Sequence, residues 1–203
     1  MEKIILGIDP GTNVMGYGII KAVGKSMEVL EIGAIELQKI SDPYAKLQKI
    51  HSTLTALVEK YSPDEMALEA PFFGKNVQSM LKLGRAQGVA MSVGVSHDIV
   101  IHEYAPRKIK LSITGNGAAA KEQVASILSK MLKYENDQKY LDATDALAVA
   151  VCHFYELSKP VIPEASSVSK KRLSSRKSSQ TWAQFVSQHS NRIVGGSGKE
   201  TGK

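Results

Sequence analysis

Four carboxylates stand at the ends of apolar runs in this sequence of 203 residues. Asp9 ends the run IILGID, Glu69 ends the run MALE, and Asp142 and Asp145 open the run DATDALAVAV. An acid at the tip of a buried strand lies where the interior of a sheet meets solvent, and two acids three positions apart share one face of a helix. If the four converge, they form a set of hard oxygen ligands suited to Mg²⁺ or Mn²⁺. Two such ions about 3.5–4 Å apart can catalyse the in-line hydrolysis of a phosphodiester.

Two segments of the chain carry basic residues and no acidic residue, namely 70–97 and 104–121. Basic segments beside a cluster of carboxylates indicate a polyanion as the substrate. The candidate contacts in these segments are Lys75, Lys82, Arg85, Arg107, Lys108 and Lys110.

Other kinds of site find little support in the composition. The chain has one cysteine, Cys152, which excludes an intramolecular disulfide and fits a reducing cytosol. None of the five histidines has ligand-like spacing to another histidine or to the cysteine, so the sequence does not predict a zinc site. No run reaches the roughly 20 apolar residues of a membrane span, and the N-terminal residues do not resemble a signal peptide. We therefore expect a cytoplasmic protein with no membrane partner.

The elements that must position the carboxylates follow from the periodicity of apolar residues. Antiparallel strands are predicted over 3–9, 14–22 and 27–37, a short strand ends at Glu69, and a fifth strand begins at Ile99. A helix is predicted between a cap at Ser41–Pro43 and a stop at Ser62, and further helices cover about 76–96, 120–134 and 139–157. This order predicts an α/β sandwich with a mixed sheet.

The composition changes from Ser158 onward. Residues 164–203 contain eight basic and two acidic residues, a net charge of +6, whereas residues 1–163 are neutral overall. We therefore predict two parts, a domain over 1–157 and a basic, Ser/Gly-rich, disordered tail over 158–203 with a possible short helix at 181–193. The tail could be an additional DNA-binding arm, a partner-binding segment or an inert extension.

Strand order and carboxylate placement resemble the ribonuclease-H-like nucleases, and within them the RuvC family of bacterial Holliday-junction resolvases. The resemblance spans about residues 1–157 in one collinear order. The segments that carry it are DPGT at 9–12, GYG at 16–18, LE at 68–69, FFGKN at 72–76, KLGRAQG at 82–88, Lys110, Lys121 and DATDALA at 142–148. It implies a five-stranded mixed sheet flanked by helices on both faces.

The activity implied by the resemblance is that of a crossover junction endodeoxyribonuclease, which makes paired symmetric nicks in recombination and DNA repair. The family is homodimeric and uses two Mg²⁺ ions, for which Mn²⁺ can substitute. The matching ligands are Asp9, Glu69, Asp142 and Asp145. The resemblance also implies four-way junction DNA and the RuvA–RuvB branch-migration complex as partners.

Further roles are implied at matching positions. Lys121 is expected to act in catalysis and Lys110 to lie near the scissile phosphate. Phe72 is expected to stack on bases near the junction centre, because an exposed aromatic beside a metal site can stack on an unpaired base. Phe73 and Asn76, in the same segment, are further expected DNA contacts. The helix over 76–96, with the apolar residues Leu81, Ala86, Val89, Ala90 and Val93, is the expected dimer interface.

Three other functions share parts of this pattern. A ribonuclease-H-like nuclease that acts on RNA–DNA hybrids would use the same carboxylates. A junction-binding module without catalysis is disfavoured by the presence of all four acids. The segment DPGT also resembles the phosphate loop of actin-like ATPases, but the chain has only one such half and no second glycine-rich loop for adenosine.

Overall fold

The computed structural model describes residues 2–71, 76–132, 134 and 141–159, with the side chain of Leu141 excepted. All of them belong to one compact unit, Met1–Pro160. The expectations for Phe72, Phe73 and Lys75, for the tail from residue 160 onward and for its helix over 181–193 lie outside the described residues.

A five-stranded mixed sheet forms the centre of the fold. Its strands are β1 (Glu2–Asp9), β2 (Val14–Val23), β3 (Ser26–Glu36), β4 (Glu65–Glu69) and β5 (Val100–Tyr104), in the spatial order β3-β2-β1-β4-β5. The first three strands form an antiparallel meander, whereas β4 runs parallel to β1 and β5 parallel to β4. The predicted fold class is confirmed.

Helices cover both faces of the sheet. Helices α1 (Pro43–Tyr61) and α2 (Val77–Ser96) pack on one face, and α3 (Pro106–Thr114), α4 (Lys121–Leu132) and α5 (Leu141–Leu157) pack on the other. Helix α1 begins where predicted, because Asp42 Oδ2 accepts a hydrogen bond of 2.8 Å from the Ala45 amide. None of the described helices is long and apolar enough to cross a membrane.

Helix α3 was not predicted from the sequence. Its nine residues, PRKIKLSIT, are basic, and Ile109 is its buried residue. Pro106 opens the helix and Gly115 ends it in the left-handed conformation, with φ of 73°. These turn residues were present in the sequence, but the apolar stripe between them is too short to give a clear helical period.

The predicted dimer helix is only partly available on the surface. In α2, Ala86, Ala90 and Val93 are buried against the sheet of the same chain. The large apolar side chains that α2 exposes are Val77, Leu81 and Val95. A partner could therefore contact these three positions but not the buried row.

Strand alternation decides which acids face α5. Ile5 and Ala67 belong to the core beneath α3, α4 and α5, whereas Leu6 and Leu68 belong to the core beneath α1 and α2. Side chains at intervals of two share a face. Asp9 at the end of β1 and Glu69 at the end of β4 therefore lie on the α5 face.

Candidate metal and nucleic-acid site

Three glycines let α5 lie directly on the sheet. A Cβ on Gly7 would lie 2.7 Å from the Ala150 amide nitrogen, and one on Gly18 would lie 2.8 Å from the Leu147 Cα. A Cβ on Gly16 would lie 2.6 Å from the carbonyl carbon of Asp142. Contacts this short leave no room for a side chain, so the absence of Cβ atoms sets the distance between helix and sheet.

Gly16 also fixes which residues meet at the sheet edge. It pairs with Asp9 across the β1–β2 ladder while it lies beneath the first turn of α5. Oxygen atoms of Asp9, Asp142 and Asp145 accordingly all lie within 4.8 Å of one another, and all three residues are half-buried. Three carboxylates at this separation could hold a metal ion, and hard oxygen donors suit Mg²⁺ or Mn²⁺.

Glu69 approaches the same three acids from β4. Its strand runs beside β1, with Ile8 paired to Leu68, so the ends of the two strands are neighbours. Burial and the nearby charge of Asp145 raise the pKa of Glu69. The structure thus brings all four predicted acids to one end of the sheet, and their role as metal ligands stays a prediction.

The raised pKa of Asp9 shows that the four carboxylates repel one another in the absence of a cation. The pKa of Asp9 is raised from 3.8 to about 8, mainly by burial and also by the charges of Glu69, Asp145 and Asp142, although Lys121 lowers it. Without a metal, the cluster therefore retains a proton at neutral pH. A divalent cation would offset the repulsion and displace that proton.

Two predicted lysines face the acids. Lys121, the first residue of α4, forms an ion pair with Asp145 Oδ2. Burial lowers the pKa of Lys121, but its hydrogen bond to Asp145 outweighs this effect and raises the pKa overall. Lys110 on α3 is close enough to Glu69 to lower the pKa of that carboxyl. Both cations thus lie where a phosphate would approach the acids.

A basic groove lies beside the loop that follows Asp9. It has a volume of about 380 Å³, and Lys46, Lys82 and Arg85 are its basic lining residues. Lys46 donates a hydrogen bond of 3.1 Å to the carbonyl of Thr12 in the same loop. Lys46 could not be selected from the sequence, because nothing in its local pattern distinguishes it from other lysines on helix surfaces.

A smaller cavity of about 170 Å³ adjoins Asp9 and Glu69. Gln87 lines it, is 5% exposed, and donates a hydrogen bond of 2.7 Å to Glu103 Oε1. Gln87 belongs to the segment KLGRAQG, and this membership was the signal in the sequence that could have identified it as a site residue. Gln87 thus connects the wall of this cavity to β5, which carries Glu103.

Two of the predicted DNA contacts have other partners in the structure, and a third is exposed. The Asn76 side chain caps α2 by accepting a hydrogen bond of 3.1 Å from the Ser79 amide. The side chain of Arg107 is exposed and passes over Gly117. Lys108 forms an ion pair of 3.0 Å with Glu156, near the end of α5 opposite to Asp142. The structure does not bring Lys108 to the acid cluster, and DNA contact by these three residues stays a prediction.

Comparison with protein families adds one clear match. The family model described as "Crossover junction endodeoxyribonuclease RuvC" matches residues 5–153. A relative of that name from Bacteroides fragilis is 55% identical over 168 residues, which cover 82% of this chain and 89% of the relative. Another, from Christiangramia forsetii, is 51% identical over 192 residues, which cover 95% of this chain and 93% of the relative.

Solved structures with the same fold include two of RuvC from Thermus thermophilus. The structure of that protein in complex with Holliday junction substrate has a TM-score of 0.72 and 24% identity, and covers 77% of this chain and 95% of its own. A second structure of Thermus thermophilus RuvC has a TM-score of 0.69 and 25% identity, and covers 76% of this chain and 95% of its own. This likeness confirms the α/β fold with a mixed sheet.

Proposed function

Because this chain belongs to the RuvC family of crossover junction endodeoxyribonucleases, we propose that it resolves Holliday junctions by paired symmetric nicks in DNA recombination and repair. The observation that carries the proposal is the convergence of Asp9, Asp142 and Asp145 beside Lys121. A divalent cation offsets the repulsion among these carboxylates, and the basic residues around them attract a polyanion.

We propose Mg²⁺ as the physiological metal, with Mn²⁺ as a substitute and two ions in each site. Asp9, Asp142 and Asp145 would hold the ions together with Glu69. When bound, they supply an activated water as the nucleophile and neutralise charge on the leaving oxygen. The donor set fits this role, since it consists of carboxylate oxygens alone.

The protein's own residues position the phosphodiester and stabilise its charge. Lys121 presents its ammonium group at Asp145, and the same group can donate to a phosphoryl oxygen of bound DNA. A fixed positive charge there stabilises the negative charge that develops during hydrolysis. Lys110, which lies toward Glu69, anchors the neighbouring phosphate.

DNA contacts outside the cluster extend along α2 and α3. We propose that Phe72 stacks on a base at the junction centre, with Phe73 beside it. Stacking on an aromatic ring holds an unpaired base in place, and loss of the ring weakens binding by about 1–3 kcal/mol per base. Phosphate contacts are assigned to residues that are basic or amide-bearing: Lys75, Asn76, Lys82, Arg85, Arg107 and Lys108. Lys82 and Arg85 have the strongest support, since they line the groove beside the Asp9 loop.

We further propose a homodimer, because one junction must be nicked twice and a twofold assembly presents two sites. The exposed side chains of Val77, Leu81 and Val95 on α2 are suited to such an interface. The RuvA–RuvB branch-migration complex is the proposed partner on chromosomal DNA in the cytoplasm. The tail over 158–203 is proposed as a separate basic segment, whose net charge of +6 over 164–203 adds salt-sensitive DNA affinity.

Substrate comparison tests this function. Purified protein is incubated in Mg²⁺ with equal amounts of a synthetic four-way junction, the matching linear duplex and an RNA–DNA hybrid of the same sequence. We expect the junction to be cut and the other two to remain intact. Preferential cleavage of the hybrid would instead assign the site to a ribonuclease-H-like activity on RNA.

A further inference from the structure

A second cluster of ligating side chains lies on the α5 face, away from the four acids. It consists of Glu65 on β4, His102 on β5 and His153 on α5, whose ligating atoms all lie within 4.8 Å of one another. Glu65 precedes Glu69 by four strand residues, and His153 follows Asp145 by eight helix residues. The rise along a strand and along a helix places this cluster about 12–13 Å from the acid cluster.

One carboxylate oxygen is the centre of this arrangement. Glu65 Oε2 lies 2.6 Å from His153 Nε2 and 3.1 Å from His102 Nε2. The contact to His153 is a hydrogen bond, whereas the one to His102 lacks hydrogen-bond geometry. His102 Nε2 is buried and has no hydrogen-bond partner among the described residues. A buried ring nitrogen that points at a carboxylate without bonding to it requires an explanation, and an absent ion is one.

The second nitrogen of His153 is already oriented. Its Nδ1 lies 2.7 Å from the Tyr104 hydroxyl. When the imidazole proton is on Nδ1, Nδ1–H donates a hydrogen bond to the Tyr104 oxygen, and Nε2 can bind a metal in place of its hydrogen bond to Glu65.

The charge of Glu65 is balanced by Lys3, which leaves the oxygen Oε2 available to a metal ion. Lys3 forms an ion pair with Oε1 of Glu65, not with Oε2. This ion pair favours the ionised form of the carboxylate. The side chain of His102 is 36% exposed, so this histidine borders solvent.

We propose that Glu65, His102 and His153 bind one divalent transition-metal ion of the Zn²⁺ type. Two imidazoles and one carboxylate are a ligand set that Zn²⁺ uses when a fourth position is left for water. Bonds of about 2.0–2.1 Å hold tetrahedral ligands about 3.3–3.4 Å apart, so the closest pair would separate by less than about 1 Å on binding. Mg²⁺ is a poor occupant, because it prefers oxygen ligands in octahedral geometry.

The position of this site gives it a structural role. It would join β4, β5 and α5, of which β4 carries Glu69 and α5 carries Asp142 and Asp145. The sequence did not indicate it, because Glu65 and His153 are 88 residues apart and spacing along the chain carries no information about the contact. The site does not depend on the proposed nuclease function, so junction cleavage is not a readout for it.

Metal binding to the full chain tests the proposal. Protein stripped with a chelator is dialysed into excess Mg²⁺, which occupies the acid cluster, and titrated with Zn²⁺ by calorimetry and with Co²⁺ by visible absorption. We expect one Zn²⁺ per chain and a Co²⁺ spectrum typical of tetrahedral coordination. His102→Gln should abolish both, and Tyr104→Phe should weaken Zn²⁺ binding about 10- to 100-fold by releasing His153.

The control variant is His51→Gln, which alters an exposed histidine on α1. It should bind Zn²⁺ and Co²⁺ as the unaltered chain does, and circular dichroism should show all variants folded. Equal Zn²⁺ affinity in the His102→Gln variant, or no Zn²⁺ binding by the unaltered chain in Mg²⁺, would overturn the proposal and leave these residues as a buried hydrogen-bond network.

Discussion

Gly16 lies directly beneath the backbone of Asp142, where a Cβ on the glycine would approach the Asp142 carbonyl carbon to 2.6 Å. The same glycine pairs with Asp9 in the β1–β2 ladder. One position without a side chain thus controls the separation between an acid on the sheet and an acid on the helix. The acid cluster depends on backbone packing as much as on the acids themselves.

Gly16→Ala should damage both stability and activity. The new methyl group would meet backbone atoms of α5, which cannot move away as a side chain can, so we expect the free energy of unfolding to fall by about 1–3 kcal/mol. Displacing Asp142 by about 1 Å should also lower junction cleavage about 100-fold. Urea denaturation and single-turnover cleavage measure the two effects.

Gly94→Ala is the matched control for this substitution. A Cβ on Gly94 would meet only side-chain ends, with Ile101 Cδ1 at 3.0 Å and Met66 Cε at 3.2 Å. These atoms can shift, and alanine favours the helix, so we expect a change in the free energy of unfolding of less than about 1 kcal/mol. Unchanged cleavage by Gly16→Ala would contradict the role given to this glycine.

The raised pKa of Asp9 predicts how stability depends on pH when metal is removed. The folded pKa is about 8 and the ordinary value is 3.8, so between these pH values the folded chain binds more protons than the unfolded chain. Stability in EDTA should therefore fall as the pH rises from about 4 to about 8.

Asp9→Asn should remove this part of the pH dependence. At pH 8 in EDTA, we expect the variant to exceed the unaltered chain in stability by about 0.5–2 kcal/mol, because a charge that costs stability is gone. Glu69 titrates in both proteins, so the difference between the two curves reports Asp9 together with its interaction with Glu69. Thermal denaturation across this pH range is the measurement, and parallel curves would show that the pKa of Asp9 is not raised in the folded chain.

Lys121→Ala should lower the rate of cleavage more than the affinity for DNA. Its ammonium group lies at Asp145, where it can stabilise charge on the reacting phosphate, and loss of such a group costs about 100- to 1,000-fold in rate. Lys60→Ala is the control, since that lysine forms an exposed ion pair of 2.7 Å with Glu31. A rate equal to that of Lys60→Ala would limit Lys121 to anchoring.

The exposed apolar residues of α2 predict the assembly state. Light scattering at micromolar concentration should give about 44 kDa, twice the 22.0 kDa of one chain. Leu81→Glu should give a monomer, because it places a charge in the interface, whereas Leu111→Glu, on the similarly exposed α3 residue, should remain dimeric. A chain that is monomeric both alone and on junction DNA would contradict the proposed dimer.

The sequence allowed the sheet and the positions of the four acids to be predicted because the strands are apolar and the turns between them are marked. It could not reveal α3, whose stripe of apolar residues is short, or the burial of Ala86, Ala90 and Val93, since an apolar helix face does not indicate what covers it. The cluster of Glu65 with two histidines could not be predicted either, because contacts between elements that are distant in the sequence leave no local pattern.

The most direct test of the account is to map cuts at nucleotide resolution on all four strands of a junction in Mg²⁺, with the unaltered chain and with Asp145→Asn. We expect the unaltered chain to cut two strands of like polarity at symmetric positions. Asp145→Asn should bind the junction with similar affinity, because phosphate contacts supply most of it, and should cut no strand. Cleavage by this variant at a near-normal rate, or cuts by the unaltered chain on one strand only, would contradict the assignment of the acid cluster as the active site of a junction resolvase.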